Sequence, residues 1–121
     1  MKYIFLLHDD EDKWDAMPEA ERNQIFGAYR AYTENTKEAG VYLDGAPLPH
    51  SREGKRVRSS SKPTIQDGPF ADGKEQLGGY YMIEAKNLDQ ALDWAARCPC
   101  ASYGWVEVRP ILDHSRQDAA R

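Results

Sequence analysis

His8 stands at the end of an apolar run, Tyr3-Ile4-Phe5-Leu6-Leu7, and is followed at once by Asp9 and Asp10. An imidazole titrates near neutrality and carboxylates beside it can exchange its proton, so His8 with Asp10 is a candidate acid–base pair. The alternative is a polar residue closing a strand. Farther along, Glu84, Glu107 and Arg109 lie on segments with strand character and could face one side of a sheet. Two carboxylates and a guanidinium so placed would recognise an anion or handle a proton, or else form a structural ion pair at a subunit seam. A third candidate is the loop that opens Asp67-Gly68-Pro69-Phe70 and ends Gly73-Lys74. There Gly68 and Gly73 would let backbone N–H groups approach an anionic ligand, with Asp67 and Lys74 at its edges. The same residues would equally serve to lock a turn and bury the Phe70 ring.

Other chemistries find little footing. Cys98 and Cys100 flank Pro99, too close for a comfortable disulfide and too few for a zinc site, and read as two small residues ending a helix. His50 between Pro49 and Ser51 reads as a loop residue, and His114 lies in the tail. No phosphate-loop lysine motif, dinucleotide glycine pattern or Ser–His–Asp arrangement can be argued, so no metal and no cofactor are expected.

The elements that must position these residues follow from periodicity. Lys2 to His8 predicts a strand apolar on both faces. The acidic stretch Asp9 to Asp15 carries the chain out to a helix beginning near Pro18, with Glu19 and Glu21 at its positive end. Ile25, Ala28, Tyr29, Tyr32, Thr36 and Ala39 recur at helical spacing, and Gly40 follows as a terminator. Val41 to Leu48 predicts a second strand. A polar hairpin follows, pairing Lys55–Ser59 with Thr64–Gln66 around a tip at Ser59-Ser60-Ser61. Gly78-Gly79 open a strand over Tyr80 to Ala85. Asn87 caps a second helix with Gln90 reaching back, a buried stripe of Leu88, Ala91, Leu92 and Ala95, and a stop at Pro99. The last strand, Tyr103 to Ile111, places Val106 and Val108 on one face and Trp105, Glu107 and Arg109 on the other.

Without the inserted hairpin this order is β-α-β-β-α-β, the ferredoxin-like α+β unit with both helices on one face of an antiparallel sheet. The other face would expose the second side of the first strand together with Tyr80, Met82 and Trp105. Exposing that much apolar surface is costly at ~25 cal/mol per Å², so a homodimer packed face to face is expected.

The chain has 121 residues, 40% of them hydrophobic and 30% charged, which suits one soluble domain. Residues 1–112 are expected to form it and 113–121 a flexible tail. A formal net charge of −4 argues against direct nucleic-acid binding, and Arg52, Lys55, Arg56 and Arg58, with no aromatic residues between them, read as a solvated hairpin. No apolar run approaches the ~20 residues that span a bilayer. The apolar start has no small-residue cleavage site before Asp9, so a cytoplasmic, non-membrane protein is expected.

Residues 67–81, from Asp67-Gly68-Pro69-Phe70 through Gly78-Gly79-Tyr80-Tyr81, resemble the signature of the DGPF proteins within the YCII-related family. Met1-Lys2-Tyr3, Asn87 to Leu92 and Val106 to Pro110 agree with it, so the resemblance covers essentially residues 1–112. It implies a dimeric α/β barrel of ferredoxin-like halves. It also implies two kinds of role, since some relatives accompany extracytoplasmic-function sigma factors and one branch includes a dehydrochlorinase acting on chlorinated hydroxyquinols. Catalysis proposed for that family rests on a His early in the first helix and an Asp near the end of the second. Here the first helix holds no His and the second ends Ala95-Ala96-Arg97-Cys98-Pro99, so that pair does not carry over. The expectation is a homodimer binding a small polar or aromatic molecule beside the sheet. The alternatives are a protein acting with a sigma factor and a small lyase using His8 as acid–base.

Overall fold

The computed structural model describes residues 1–70 and 73–113; the expected tail lies outside them from residue 114 onward. Strands β1 (Lys2–Asp10), β2 (Tyr42–Pro47), β5 (Glu75–Glu84) and β6 (Trp105–Pro110) form an antiparallel sheet in the order β2-β5-β1-β6. That is the ferredoxin-like order once the separate hairpin of β3 (Lys55–Arg58) and β4 (Thr64–Asp67) is set aside. Helices α2 (Glu19–Glu38) and α3 (Leu88–Arg97) are the two expected from the periodicity. The α+β class and the inserted hairpin are as the sequence predicts.

One face of the sheet makes the core. Tyr3, Phe5 and Leu7 of β1 and Tyr81 and Ile83 of β5 are buried there against Tyr32 and Thr36 of α2 and Ala91, Trp94 and Ala95 of α3. Burial of each large side chain contributes about 1.5–3 kcal/mol, the main support of the fold. The Tyr32 hydroxyl donates to the Trp94 carbonyl at 2.7 Å, which ties α2 to α3 through the core.

Helix ends follow local chemistry. Gly40 at φ +74° closes α2, with its N–H on Lys37 O and the Val41 N–H on Thr36 O, both at 3.0 Å. This Schellman pattern needs the left-handed conformation that glycine adopts without strain. Asn87 caps α3 by accepting from Gln90 N at 2.9 Å, and Gln90 returns to Lys86 N at 2.7 Å, one residue before the cap.

Four expectations change. The acidic stretch after His8 is not a linker: β1 runs on to Asp10, and Glu11–Ala16 form a short helix, α1. Asp10 caps it, accepting from Asp12 N at 3.0 Å and Lys13 N at 3.2 Å. The α3 stripe is turned, with Trp94 buried while Leu88 and Leu92 are exposed, because the indole is the side chain large enough to reach Tyr32. Strand β5 begins at Glu75, so Gly78 and Gly79 lie inside it. Tyr103 precedes β6 instead of opening it, in a turn after the 3-10 turn Pro99–Ser102. No helix among the described residues is long and apolar enough to cross a membrane.

Candidate functional site

Alternation along β1 sends neighbouring side chains to opposite faces of the sheet. His8 belongs to the open face with Ile4 and Leu6, where its ring stacks on Trp105 with centroids 3.9 Å and planes 10° apart. Its Nε2 is buried without a hydrogen bond and lies 3.5 Å from a Glu107 carboxylate oxygen, within ion-pair range but without hydrogen-bond geometry. Arg109 holds the other oxygen of Glu107. His8, Glu107 and Arg109 therefore do come together.

The other sequence candidates stand apart. Glu84 is opposite Lys2 in the ladder whereas Glu107 is opposite Leu6, and it pairs with the N-terminal amine at 3.6 Å. Four residues along β1 separate those positions, roughly 13 Å. Asp10 is occupied as the α1 cap. Asp67 forms an exposed ion pair with Lys55 at 2.6 Å, which holds its carboxyl below the usual range. The Gly68 N–H donates inward to Gly54 O at 2.7 Å, so it is not available to an anion. A Cβ on Gly68 would lie 2.3 Å from Ser51 O, so glycine here permits close backbone packing. Phe70 is 38% exposed and lies under the Arg56 guanidinium, and Gly73 and Lys74 are exposed. This loop ties the hairpin to the 3-10 turn Ser51–Glu53.

A concavity opens on the helix side instead. A cleft of about 790 Å³ lies between the sheet and α2, roofed by α1, with Leu7, Asp9, Trp14, Phe26, Tyr29 and Tyr103 in its walls. Trp14 packs against Phe26 and Tyr103, each with ring centroids 5.6 Å apart. The roof is fastened by two contacts to the segment before the hairpin. Glu11 accepts from Ser51 N and Oγ at 2.7 and 2.6 Å, and His50 Nε2 meets Asp15 Oδ1 at 2.7 Å. His50 thus lines the cleft and is more than a loop residue.

Asp9 is the carboxylate that faces inward. Glycines make its room: a Cβ on Gly78 would lie 2.9 Å from its Oδ1, and one on Gly104 would lie 3.0 Å from its Cβ. It accepts no hydrogen bond from the described residues. Burial, then the charges of Glu11 and Asp10, raise its pKa above the usual carboxylate range, offset in part by His50 and His8. Beside it the Tyr29 and Tyr103 hydroxyls share a 2.5 Å hydrogen bond, and burial raises the pKa of both phenols. Cys100 contacts the carbonyl oxygens of His8 and Trp105 at 3.6 Å, and burial pushes its thiol up to about 11, so it is a poor nucleophile. Among the described residues, no group of three or more His, Cys, Asp and Glu gathers that could hold a metal ion.

Sequence reasoning singled out His8 and passed over its neighbour. The signal was present, since Asp9 continues the Tyr3, Phe5, Leu7 parity into the buried face. Nothing local to His50, Tyr29 or Tyr103 marked them.

Known proteins fit this architecture. An uncharacterized protein of Rhizobium meliloti (strain 1021) is 37% identical over 114 residues, covering 92% of each chain. The solved structure of 5-chloro-2-hydroxyhydroquinone dehydrochlorinase from Burkholderia phenoliruptrix AC1100, in complex with 2,5-dihydroxybenzoquinone, superposes with a TM-score of 0.52. At 17% identity, covering 96% of this chain and 98% of that one, the likeness is one of fold. The model of the YCII-related domain matches residues 1–115, and the chain belongs to that family.

Proposed function

We propose that this chain is a homodimeric protein that binds a small aromatic molecule in the cleft, with Asp9 placed to accept and return a proton. The observation that carries the reading is Asp9 itself, a half-buried carboxylate without a donor among the described residues, set among aromatic rings. A carboxylate kept for structure would be paired, because an unpaired one destabilises the fold. A raised pKa also makes the carboxylate a stronger base than an exposed one, which helps it to accept a proton. The similar dehydrochlorinase was solved with a hydroxylated quinone, which suggests the ligand class to test first. His8 takes no part, since the sheet lies between it and the cleft.

The dimer rests on the other face. Ile4, Leu6, Tyr80 and Met82 line it half-buried, and Trp105 is 45% exposed. A second copy packed there would remove this surface from water.

Thermal shift of the full chain with hydroquinone, a hydroxylated ring that stays neutral at pH 7, tests the cleft, because a ligand bound only by the folded state raises Tm. A concentration-dependent rise is expected, lost in Trp14→Ala and kept in His8→Ala. A shift lost in His8→Ala instead would move the site to the open face. Sedimentation of the free protein at micromolar concentration should give twice the chain mass, and a monomer there would refute the dimer.

A further inference from the structure

Among the described residues, the cleft wall holds a phenol pair with one proton left over for a strong acceptor and a carboxylate that accepts no hydrogen bond. Tyr29 and Tyr103 carry two phenol protons between them, and their mutual hydrogen bond uses one, whichever ring donates. Both side chains line the cleft, and no other strong acceptor for the remaining proton is present among the described residues. The nearby Cys100 sulfur is a weak acceptor, and its own proton lies toward the His8 and Trp105 carbonyls. Asp9 supplies the converse, an acceptor with no donor among the described residues. A Cβ on Gly104, the residue after Tyr103, would lie 3.0 Å from the Asp9 Cβ, which places the carboxylate in this neighbourhood.

We propose that the cleft selects ligands with a neutral hydroxyl on a flat ring, the hydroxyl oxygen accepting the free phenol proton of the Tyr29–Tyr103 pair while its proton goes to Asp9. This deepens the reading of the cleft as the binding site and rests on it. A hydroxyl both donates and accepts through one atom, as these two groups require. An ether accepts only and leaves Asp9 desolvated and unpaired. A carboxylate brings no proton and adds a like charge beside Asp9. Trp14 and Phe26 supply the apolar walls for the ring.

Calorimetric titration of the full chain with hydroquinone and with 1,4-dimethoxybenzene tests the assignment. Hydroquinone should bind about tenfold or more tightly, the usual consequence of leaving buried polar groups unpaired. Replacing both phenols, Tyr29→Phe with Tyr103→Phe, should shrink that preference while the dimethyl ether binds as before. If the two compounds bind native protein equally and Trp14→Ala abolishes both, the hydroxyl rule is overturned and the cleft stands. Binding of neither overturns the rule and removes the cleft reading with it. Should the double variant fail to fold, the ratio measured on native protein still decides.

Discussion

The two faces of the sheet are built from alternate residues of the same strands, yet they present opposite problems. On the covered face Tyr3, Phe5 and Leu7 meet helices, and at the end of that row Asp9 enters a cleft. On the open face Ile4 and Leu6 are only half-buried and no helix covers them, and His8 lies flat on Trp105 beside Glu107. The His, with its familiar chemistry, belongs to the face that no helix covers; the carboxylate one step on belongs to the face that has a cavity. Residue type alone points to the open face, and parity along the strand shows which of the two neighbours faces the cleft.

The sharpest way to break this comparison is to truncate neighbours on β1. Phe5→Ala should destabilise the fold by about 3–5 kcal/mol in urea denaturation, the usual result of emptying a fully buried aromatic site. Ile4→Ala should cost only about 1 kcal/mol at high dilution, more as concentration rises if a second copy covers it. Equal, concentration-independent losses would mean that the faces are equally buried within one chain.

Glycines give the next contrast. A Cβ at Gly104 would sit 2.1 Å from the His8 carbonyl oxygen, whereas one at Gly73 meets nothing within 4 Å. Gly104→Ala should therefore cost about 1–3 kcal/mol and Gly73→Ala almost nothing, as chemical denaturation would read. Tyrosines come third. Tyr32→Phe leaves the buried Trp94 carbonyl unsatisfied and should cost about 1–2 kcal/mol. Tyr80→Phe loses a 2.9 Å bond to Asp44 on the open face and should leave Tm within error.

The smallest effect concerns pH. Because the folded state raises the Asp9 pKa, folded protein holds that proton more tightly than unfolded chain does. Stability from this group is thus lost as pH rises from the unfolded carboxylate value through the raised folded one, and the full deficit persists at neutral pH. Asp9→Asn should raise Tm at pH 7.5 more than at pH 4, by a modest amount given partial exposure. A variant less stable at pH 7.5 would show that Asp9 is paired in solution.

Much of the fold was legible because its determinants are local. Strand alternation, the Gly40 terminator and the Asn87 cap each act within a few residues, and the element order then leaves few topologies. Local rules failed where size or distance decided. The α1 cap at Asp10 was hidden in an acidic run that read as a linker. Trp94 displaced Leu88 and Leu92 from the core because only its ring spans the gap to Tyr32. The hairpin motif at Asp67 and Gly68 looked like a ligand loop, but its N–H and charge are satisfied by Gly54 and Lys55.

The candidate site divides along the same line. The sequence by itself determined the family, the ferredoxin-like order and a β1 with two distinct faces, since periodicity and capping are short-range. Tertiary structure alone decided that Asp9 shares a cleft with Tyr29 and Tyr103, because those side chains come from three elements and the two phenols are 74 positions apart. No local pattern encodes such a meeting. It exists only once the sheet, α2 and the turn before β6 have packed, and the proton that the paired phenols leave over exists only then.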